Sequence, residues 1–344
     1  MYKLLLKPFL FLFSAETSHQ FVYEFLKVIC IIPGMKPLLR VMFSFKATIQ
    51  PVKLGSVRIP NRVGLAAGFD KNAVMIDELA CFGFGFIEIG TVTPLPQDGN
   101  PKPRIFRLKK DKALINRMGF NNDGVEKIAD RLRKRNSNII VGANIGKNKI
   151  TPNEEAVVDY ITCFIKLFRL VDFFVINVSS PNTPDLRDLQ AKKPLLEILN
   201  KLQSINMAKK KPKPILVKIS PDLNNHELDS IIDTIEQTKI TGIIATNTTV
   251  TRDRLYTNEM RVLRYGDGGL SGTPLKDRST EVIHYLSQRL SPDKLIIGSG
   301  GVNNADSALE KLRAGASLVE VYTGFIYEGP GLIKHIVKEV DKRL

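Results

Sequence analysis

Eight short apolar runs, rich in β-branched residues, recur along the chain after residue 50 and constrain its fold more than any other feature. Amphipathic segments of helical length, such as 154–169 and 226–237, lie between most of them. Strands that alternate with helices form a parallel sheet, so eight such units predict an α/β fold, the (β/α)8 TIM barrel. A doubly wound open sheet is the alternative, but no GxGxxG motif opens its first unit. The predicted strands are 63–67, 85–89, 139–143, 173–176, 215–219, 242–245, 295–298 and 318–322.

Polar or glycine-rich residues follow the carboxyl ends of these runs, which is where such barrels place catalytic groups. The fourth run leads into the string 177–183, NVSSPNT, and Pro181 prevents a central strand from continuing there. Amides and hydroxyls at this density are costly to bury without hydrogen-bond partners. The string therefore predicts either a binding site or, alternatively, a turn that caps the next helix.

A phosphate site is predicted after the seventh and eighth strands. The seventh ends in 298–301, GSGG, and the eighth in 322–324, YTG, and barrels bind phosphate through backbone N–H groups at this place. Lys71 and Lys218, near the predicted barrel mouth, would each lose hydration unless an anion met them. A lysine whose stem is buried and whose tip reaches the surface is the alternative for both.

The strand ends show no pair of acids, no Ser–His–Asp set and no metal cluster, and the four histidines fall on predicted helices or in the N-terminal region. A site poor in carboxylates and histidine argues against hydrolysis. It fits an organic cofactor that carries the electron chemistry while the protein orients it.

Residues 1–48 are predicted to form a separate amphipathic helical segment, and residues 49–344 the barrel domain. A helix is expected from Thr17, capped by a box between Thr17 and Gln20, and a second helix over 36–43. The first 50 residues carry six basic residues but two acids, which suits a helical hairpin lying in a membrane interface. A helical cap packed on the barrel is the alternative. A signal peptide is disfavoured because no small-x-small cleavage site follows the apolar stretch.

The charge balance leaves the partner open. A formal net charge of +15 suits nucleic acid, anionic lipid or a small anion. The basic runs 131–135 and 209–213 lack interleaved aromatic residues, so they predict solvated faces and no nucleic-acid partner. The three cysteines are far apart, which indicates a reducing compartment.

Eight motifs together resemble those of the class 2, quinone-dependent dihydroorotate dehydrogenase family, and the resemblance covers essentially the whole chain. It implies an FMN-carrying barrel that oxidises (S)-dihydroorotate to orotate and passes electrons to a lipid-soluble quinone, in de novo pyrimidine biosynthesis. It also implies that the N-terminal segment seats the enzyme on a membrane. Because that segment lacks an Arg- and Ser-rich transit peptide, the cytoplasmic side of a bacterial cell membrane is expected, with the protein as a monomer. The motifs are LAAGFDKN (65–72), EIGTVTP (88–94), NRMGFNN (116–122), NIGKNK (144–149), NVSSPNTPDLR (177–187), ATNTT (245–249), GGLSG (268–272) and VYTGF (321–325).

The resemblance also implies roles for individual residues. Ser180 is expected to be the catalytic base, with Thr183 as its relay through water, and a serine at 180, where class 1 enzymes carry cysteine, indicates class 2. Asp185 stands where many members of the family have glycine, and Thr323 replaces the serine common at its position. The segment 181–193 is expected to form a lid. The expected FMN contacts are Ala66, Ala67, Gly68, Phe69, Asp70, Thr91, Asn144, Asn177, Lys218, Thr246, Gly272, Gly301, Tyr322 and Thr323. The expected substrate contacts are Lys71, Asn116, Arg117, Met118, Gly119, Phe120, Asn177, Asn182, Asn247 and Thr248.

Two other functions are compatible with parts of this pattern. One is a related FMN barrel acting on another dihydropyrimidine or on tRNA uridines, but no basic aromatic surface supports it. The other is a membrane-binding protein on an inactive barrel, which would require the loss of site residues, and none is missing.

Overall fold

A computed structural model describes residues 2–344, and its strands form one closed barrel with two small sheets beside it. The strands are β1 (Val52–Leu54), β2 (Val57–Ile59), β3 (Val63–Leu65), β4 (Phe86–Val92), β5 (Ile105–Leu108), β6 (Ala113–Asn116), β7 (Ile140–Ile145), β8 (Phe173–Asn177), β9 (Ile215–Ile219), β10 (Gly242–Ala245), β11 (Gly269–Gly272), β12 (Leu295–Ser299) and β13 (Leu318–Val321).

Helices surround the barrel and precede it in the chain. The α-helices are α1 (Lys7–Leu10), α2 (Ala15–Ile31), α3 (Met35–Phe43), α4 (Ile76–Leu79), α5 (Val125–Arg133), α6 (Ala156–Leu167), α7 (Lys192–Met207), α8 (Asn225–Thr238), α9 (Glu259–Tyr265), α10 (Lys276–Ser287), α11 (Ala305–Arg313), α12 (Thr323–Glu328) and α13 (Gly331–Arg343). Short 3₁₀ or π-helical turns occupy Tyr2–Leu6, Ala80–Phe82, Asn153–Glu155, Leu186–Gln190 and Thr273–Leu275.

The barrel consists of the eight strands that the sequence predicts. They follow one another around it in chain order (β3, β4, β7, β8, β9, β10, β12, β13), every pair is parallel, and β13 closes the ring on β3. This closure confirms the (β/α)8 fold and excludes the open doubly wound sheet. Strands buried on both faces read as continuous apolar runs, which is why the sequence marks them clearly.

The barrel interior has an apolar lower layer and a polar upper layer. Side chains alternate along a strand, so Phe86 and Glu88 of β4 point the same way at successive levels, as do Leu216 and Lys218 of β9. The lower layer closes the amino end of the barrel over the β1–β2 hairpin. It contains Leu54, Ile59, Phe86, Phe173, Val175, Leu216, Ile244, Ile297 and Leu318.

The outer core lies between the strands and the helices. On α6, Tyr160, Cys163, Phe164 and Leu167 are fully buried at helical spacing. Phe164 packs against Phe174 of β8 with ring centroids 4.4 Å apart. The helices are thus held by the outward faces of the same strands whose inward ends build the site.

Two long connections form one small sheet above the barrel. The β5–β6 hairpin belongs to the connection after β4, and β11 to the connection after β10. They pair in the order β11–β6–β5, with Gly269 opposite Asn116. The sequence predicts both excursions, but not that they pair with each other.

The N-terminal helices form the expected hairpin, but the predicted start of its first helix is wrong. Helix α2 begins at Ala15, and the Ser14 side chain caps it by accepting from Thr17 N at 3.1 Å. Thr17 is therefore in the first turn, where its N–H needs a cap, rather than being the cap itself. Glu16 pairs with Arg104 at 2.7 Å and joins the hairpin to the barrel.

No helix within residues 2–344 combines the length and apolar character needed to cross a bilayer. Met1, the first residue of the predicted segment 1–48, lies outside the described residues.

Candidate active site

A cavity opens at the carboxyl ends of the barrel strands, beneath the small sheet. It gathers residues from seven strand ends and from both long connections. The residues that line it are Ala66, Ala67, Gly68, Lys71, Thr91, Lys112, Asn116, Met118, Gly119, Phe120, Asn177, Ser180, Asn182, Lys218, Thr246, Asn247, Thr248, Ser271, Gly272, Thr273, Leu275, Ser299, Gly300, Gly301, Val302, Asn303, Glu320, Tyr322, Thr323, Gly324 and Tyr327.

An asparagine network on β8 and its neighbours supports one wall. Asn177 Nδ2 donates to Thr91 Oγ1 and to Asn144 Oδ1, both at 3.0 Å. Asn182 Nδ2 donates to Asn116 Oδ1 at 3.0 Å, which ties the strand end to the small sheet. Buried amides in such a chain hold one another in fixed orientations, so the wall presents donors and acceptors in set positions.

Ser180 lies on this wall at the start of the segment 181–193. Its side chain is buried, it faces the cavity, and its Oγ accepts from Asn182 N at 3.2 Å. Thr183 Oγ1 is also buried and has no hydrogen-bond partner among the described residues. Thr183 lies three residues after Ser180 in the chain and does not line the cavity.

Arg187 anchors the base of the same segment. Its Nε donates to Ser179 O at 3.2 Å, and its guanidinium reaches Thr248 O at 3.1 Å and Asp222 at 2.9 Å. Asp185 has a φ of +54°, a left-handed conformation that aspartate tolerates better than most residues. The turn can therefore hold aspartate at position 185 in place of glycine.

Lys71 projects from the loop after β3 into the cavity. Its Nζ donates to Gly68 O at 2.9 Å. Burial and the nearby Arg104 guanidinium lower the pKa of Lys71 to about 8. The ammonium has no carboxylate within salt-bridge distance among residues 2–344, so it is available to an anionic ligand.

The cavity floor holds a pair of acids that the sequence analysis did not expect. Lys218 Nζ lies 2.9 Å from Glu88 Oε2 and 3.1 Å from Glu320 Oε2, and both glutamate side chains are fully buried. The prediction that no acidic pair converges at the strand ends is wrong. Burial alone favours the neutral acid, but the Lys218 ammonium holds the pKa of Glu88 below its usual range. Burial and the charge of Glu88 raise the pKa of Glu320 to about 8.

The ends of β12 and β13 form a backbone cradle. A Cβ on Gly301 would come within 2.5 Å of Lys276 Cα, and one on Gly324 within 2.2 Å of Val302 O. Only glycine fits at these two positions, because larger residues would displace the adjoining chain. Thr323 Oγ1 lies 2.8 Å from Ser271 Oγ, so the cradle ends in a pair of hydroxyls.

Five of the predicted site residues lie outside the cavity wall: Phe69, Asp70, Asn144, Arg117 and Thr183. Asp70 caps the backbone N–H groups of Val74 and Met75, and Phe69 packs edge-on against His19. Arg117 Nη1 donates to Asp267 O at 3.1 Å, on the outer side of the small sheet. Asn144 acts one layer behind the wall, where it donates to Glu88 at 2.6 Å.

Eight of the residues that line the cavity are not among the predicted site residues: Lys112, Ser271, Thr273, Leu275, Val302, Asn303, Glu320 and Tyr327. Ser271 and Thr273 flank Gly272, so the GGLSG motif held a signal for them. No sequence signal marks Lys112 or Tyr327, because their place at the cavity depends on the pairing of the two distant connections that form the small sheet. Among residues 2–344, no group of three or more His, Cys, Asp or Glu side chains is placed to hold a metal ion.

Comparisons with known proteins agree on one family. A family model described as dihydroorotate dehydrogenase matches residues 50–344. The chain is 54% identical over 340 residues to the dihydroorotate dehydrogenase (quinone) of Christiangramia forsetii, covering 99% of this chain and 98% of that one. It is 45% identical over 340 residues to the protein of the same name from Idiomarina loihiensis, covering 98% and 99%. The crystal structure of DHODH from Eimeria tenella in complex with ferulenol superposes with a TM-score of 0.84 at 37% identity, over 94% of this chain and 90% of that one.

Proposed function

The chain belongs to the dihydroorotate dehydrogenase (quinone) family, so it is an oxidoreductase that oxidises dihydroorotate, and we propose that it uses FMN as hydride acceptor and passes the electrons to a lipid-soluble quinone. The product, orotate, would then serve de novo pyrimidine biosynthesis. The observation that carries the proposal is the shape of the cavity, with a backbone cradle at one end and asparagine amides around Ser180 at the other.

The residues of the cavity fit FMN. The glycines and hydroxyls at the ends of β12 and β13 suit a phosphate, because backbone N–H groups and hydroxyls are its usual partners. Ala66, Ala67 and Gly68 keep the opposite side free of bulk, as a flat ring system requires. Three buried polar atoms at or behind the cavity wall have no partner among the described residues, namely Asn182 Oδ1, Thr183 Oγ1 and Glu320 Oε1. Buried polar atoms are normally satisfied, so they support a polar ligand here.

Ser180 is the proposed catalytic base. FMN, when bound, supplies the chemistry that accepts a hydride from C6 of dihydroorotate. Ser180 Oγ takes the proton from C5 as its own hydroxyl proton passes to water, and the buried Thr183 hydroxyl, three residues further along, relays that proton onward. A serine hydroxyl is a weak base at neutral pH, so the relay is needed for it to act.

Lys71 and the asparagines are proposed to hold the substrate. The Lys71 ammonium would meet the carboxylate of dihydroorotate, while Asn116, Asn182 and Asn247 would meet its amide and carbonyl edges. Asparagine suits such edges because its amide both donates and accepts. Hydrogen bonds among these side chains fix their orientation before the ligand arrives.

The N-terminal hairpin is proposed to seat the protein on the cytoplasmic side of a bacterial cell membrane, as a monomer, and to admit the quinone. Exposed apolar side chains occur on all three of its helices, including Phe9, Phe21, Phe25, Val28, Ile31 and Val41. Exposed apolar area of this extent is unusual on a soluble surface. Lys and Arg residues beside it suit the headgroups of anionic lipid.

The test is a visible spectrum of the purified protein followed by dihydroorotate under anaerobic conditions. A yellow protein that bleaches with dihydroorotate and regains its colour with a quinone supports cofactor, substrate and acceptor together. A yellow protein that stays yellow refutes its use of dihydroorotate as reductant. A colourless protein with no affinity for added FMN refutes the cofactor.

A further inference from the structure

The charge on the cavity floor does not balance if every group there is ionised. Glu88 and Glu320 reach the barrel interior from β4 and β13, and Lys218 reaches it from β9. All three side chains are at most 6% exposed. Two carboxylates on one ammonium would leave a net negative charge on side chains that are almost fully buried, and a buried net charge is strongly disfavoured.

The surroundings of the two glutamates differ, and the difference selects which one is ionised. Glu88 accepts from Lys218, from Asn144 Nδ2 at 2.6 Å and from Ala67 N at 3.0 Å. Three donors on one carboxylate stabilise its charged form. Among residues 2–344, Glu320 accepts one hydrogen bond, from Lys218 through Oε2, and its Oε1 accepts none.

Among residues 2–344, no charged side chain other than Lys218 forms an ion pair with Glu88 or Glu320. The charged groups that act most strongly on Glu320 are Glu88 and Lys218. Tyr322, two residues further along, is directed to Gly68 O at 3.3 Å and carries no charge at neutral pH. The neighbouring amide of Asn144 is neutral and is already committed to Glu88.

From this arrangement we propose that Glu320 is a protonated, neutral carboxyl group that keeps the cavity floor uncharged and so sets the electrostatic environment of the bound flavin. Glu320 and Glu88 are also in hydrogen-bond contact with each other, so the protonated Glu320 carboxyl donates to the ionised Glu88 carboxylate. The proposal rests on FMN being the ligand of this cavity. Reduced flavin is more negative than oxidised flavin, so a neutral floor favours the reduced form over what an anionic floor would allow.

Infrared spectroscopy of the FMN-bound protein with ¹³C-labelled glutamate carboxyls tests the protonation directly. We expect the carbonyl band of a protonated glutamate at neutral pH, which disappears as the pH is raised well above 8. The glutamate label separates this band from any buried aspartic acid, such as Asp70. Absence of the band at neutral pH would overturn the proposal.

Three variants test which glutamate carries the proton and why it stays protonated. Glu320→Gln removes the band because the acid itself is gone. Glu88→Gln also removes it, because Glu320 then faces Lys218 alone and ionises. The control Glu328→Gln retains it, since Glu328 pairs with Lys3 and Lys112 at the rim. A band that survives in either floor variant contradicts the shared-charge argument. If Glu320→Gln does not fold, the pH titration of the unaltered protein still decides.

A second readout measures the effect on flavin. Raising the pH through the Glu320 titration adds one negative charge to the floor. At an effective dielectric constant of about 20, a unit charge within about 12 Å of the flavin weakens reduced relative to oxidised FMN by at least about tenfold. That factor is about 30 mV for a two-electron couple. We expect this additional fall in midpoint potential in the unaltered protein and its absence in Glu320→Gln. Identical pH profiles would overturn the proposal. A protein that binds no FMN would instead refute the proposed function, and the same infrared measurement on the flavin-free protein would then test the protonation of Glu320.

Discussion

Replacing Lys218 by methionine, a side chain of similar volume, should lower the free energy of unfolding more than the same replacement at any other lysine. The ammonium serves two buried carboxyls, and its loss leaves Glu88 ionised without a counter-charge. Removing one partner of a buried ion pair typically costs about 3–5 kcal/mol in the free energy of unfolding. The residual donors on Glu88, Asn144 Nδ2 and Ala67 N, place the expected cost near the lower end, about 3 kcal/mol.

Lys311→Met is the matched control. Lys311 is also fully buried, but its Nζ meets only the hydroxyls of Ser279 and Thr280 and the carbonyl of Lys276. Burial lowers the pKa of Lys311 to about 7, so the charge is unfavourable in the folded state. Its removal is expected to change the free energy of unfolding by less than about 1 kcal/mol or to increase it.

The assay is equilibrium unfolding in urea at neutral pH, followed by circular dichroism on flavin-free protein, because bound ligand shifts the apparent stability and Lys218 lines the ligand cavity. The double variant Lys218→Met/Glu88→Gln should recover most of the loss, since it removes the stranded carboxylate together with its partner. A Lys218→Met protein as stable as Lys311→Met would refute the reasoning, as would a double variant whose losses simply add.

Three further predictions concern turnover. Ser180→Ala should fold and retain its yellow colour but lose at least about 100-fold in kcat with dihydroorotate, the size expected for a general base; full activity would reject Ser180 as the base. The pKa of Lys71 lies near 8, and the group is charged below that value and neutral above it. Therefore kcat/KM for dihydroorotate should fall as pH rises above about 8, and a flat profile through pH 9 would exclude Lys71 as the carboxylate anchor. Deleting residues 2–45 should lower the reduction of a quinone more than that of a soluble dye, whereas equal losses would mean that the segment serves stability alone.

The barrel could be predicted from sequence because each of its strands is buried on both faces. Such strands are uninterrupted apolar runs, and their order around the barrel follows their order in the chain. The first residue of α2 was harder to predict. Ser14 and Thr17 are both good caps three residues apart, and the sequence alone favoured the one followed by Gln20.

The site residues also divide into those that could be predicted from the sequence and those that could not. Residues at strand ends, such as Asn177 and Thr246, could be placed because the fold brings all those ends to one face. Lys112 and Tyr327 could not be, since their position depends on the pairing of β6 with β11 and on the packing of α12 against that sheet. Pairing between distant loops leaves no periodic signal in the chain.

For the acids on the cavity floor, the sequence indicated that each needed a partner but did not indicate which residue the partner was. Glu88, Lys218 and Glu320 each interrupt an otherwise apolar strand, and a charge in the middle of a strand buried on both faces is rare unless it is paired. The sequence therefore required partners for all three. It could not show that they were one another's partners, because that depends on the stagger of the strands around the closed barrel. Two acids and one base at the same level imply a charge that cannot be balanced by pairing alone, so the chemistry of this floor follows from the closure of the barrel rather than from any motif.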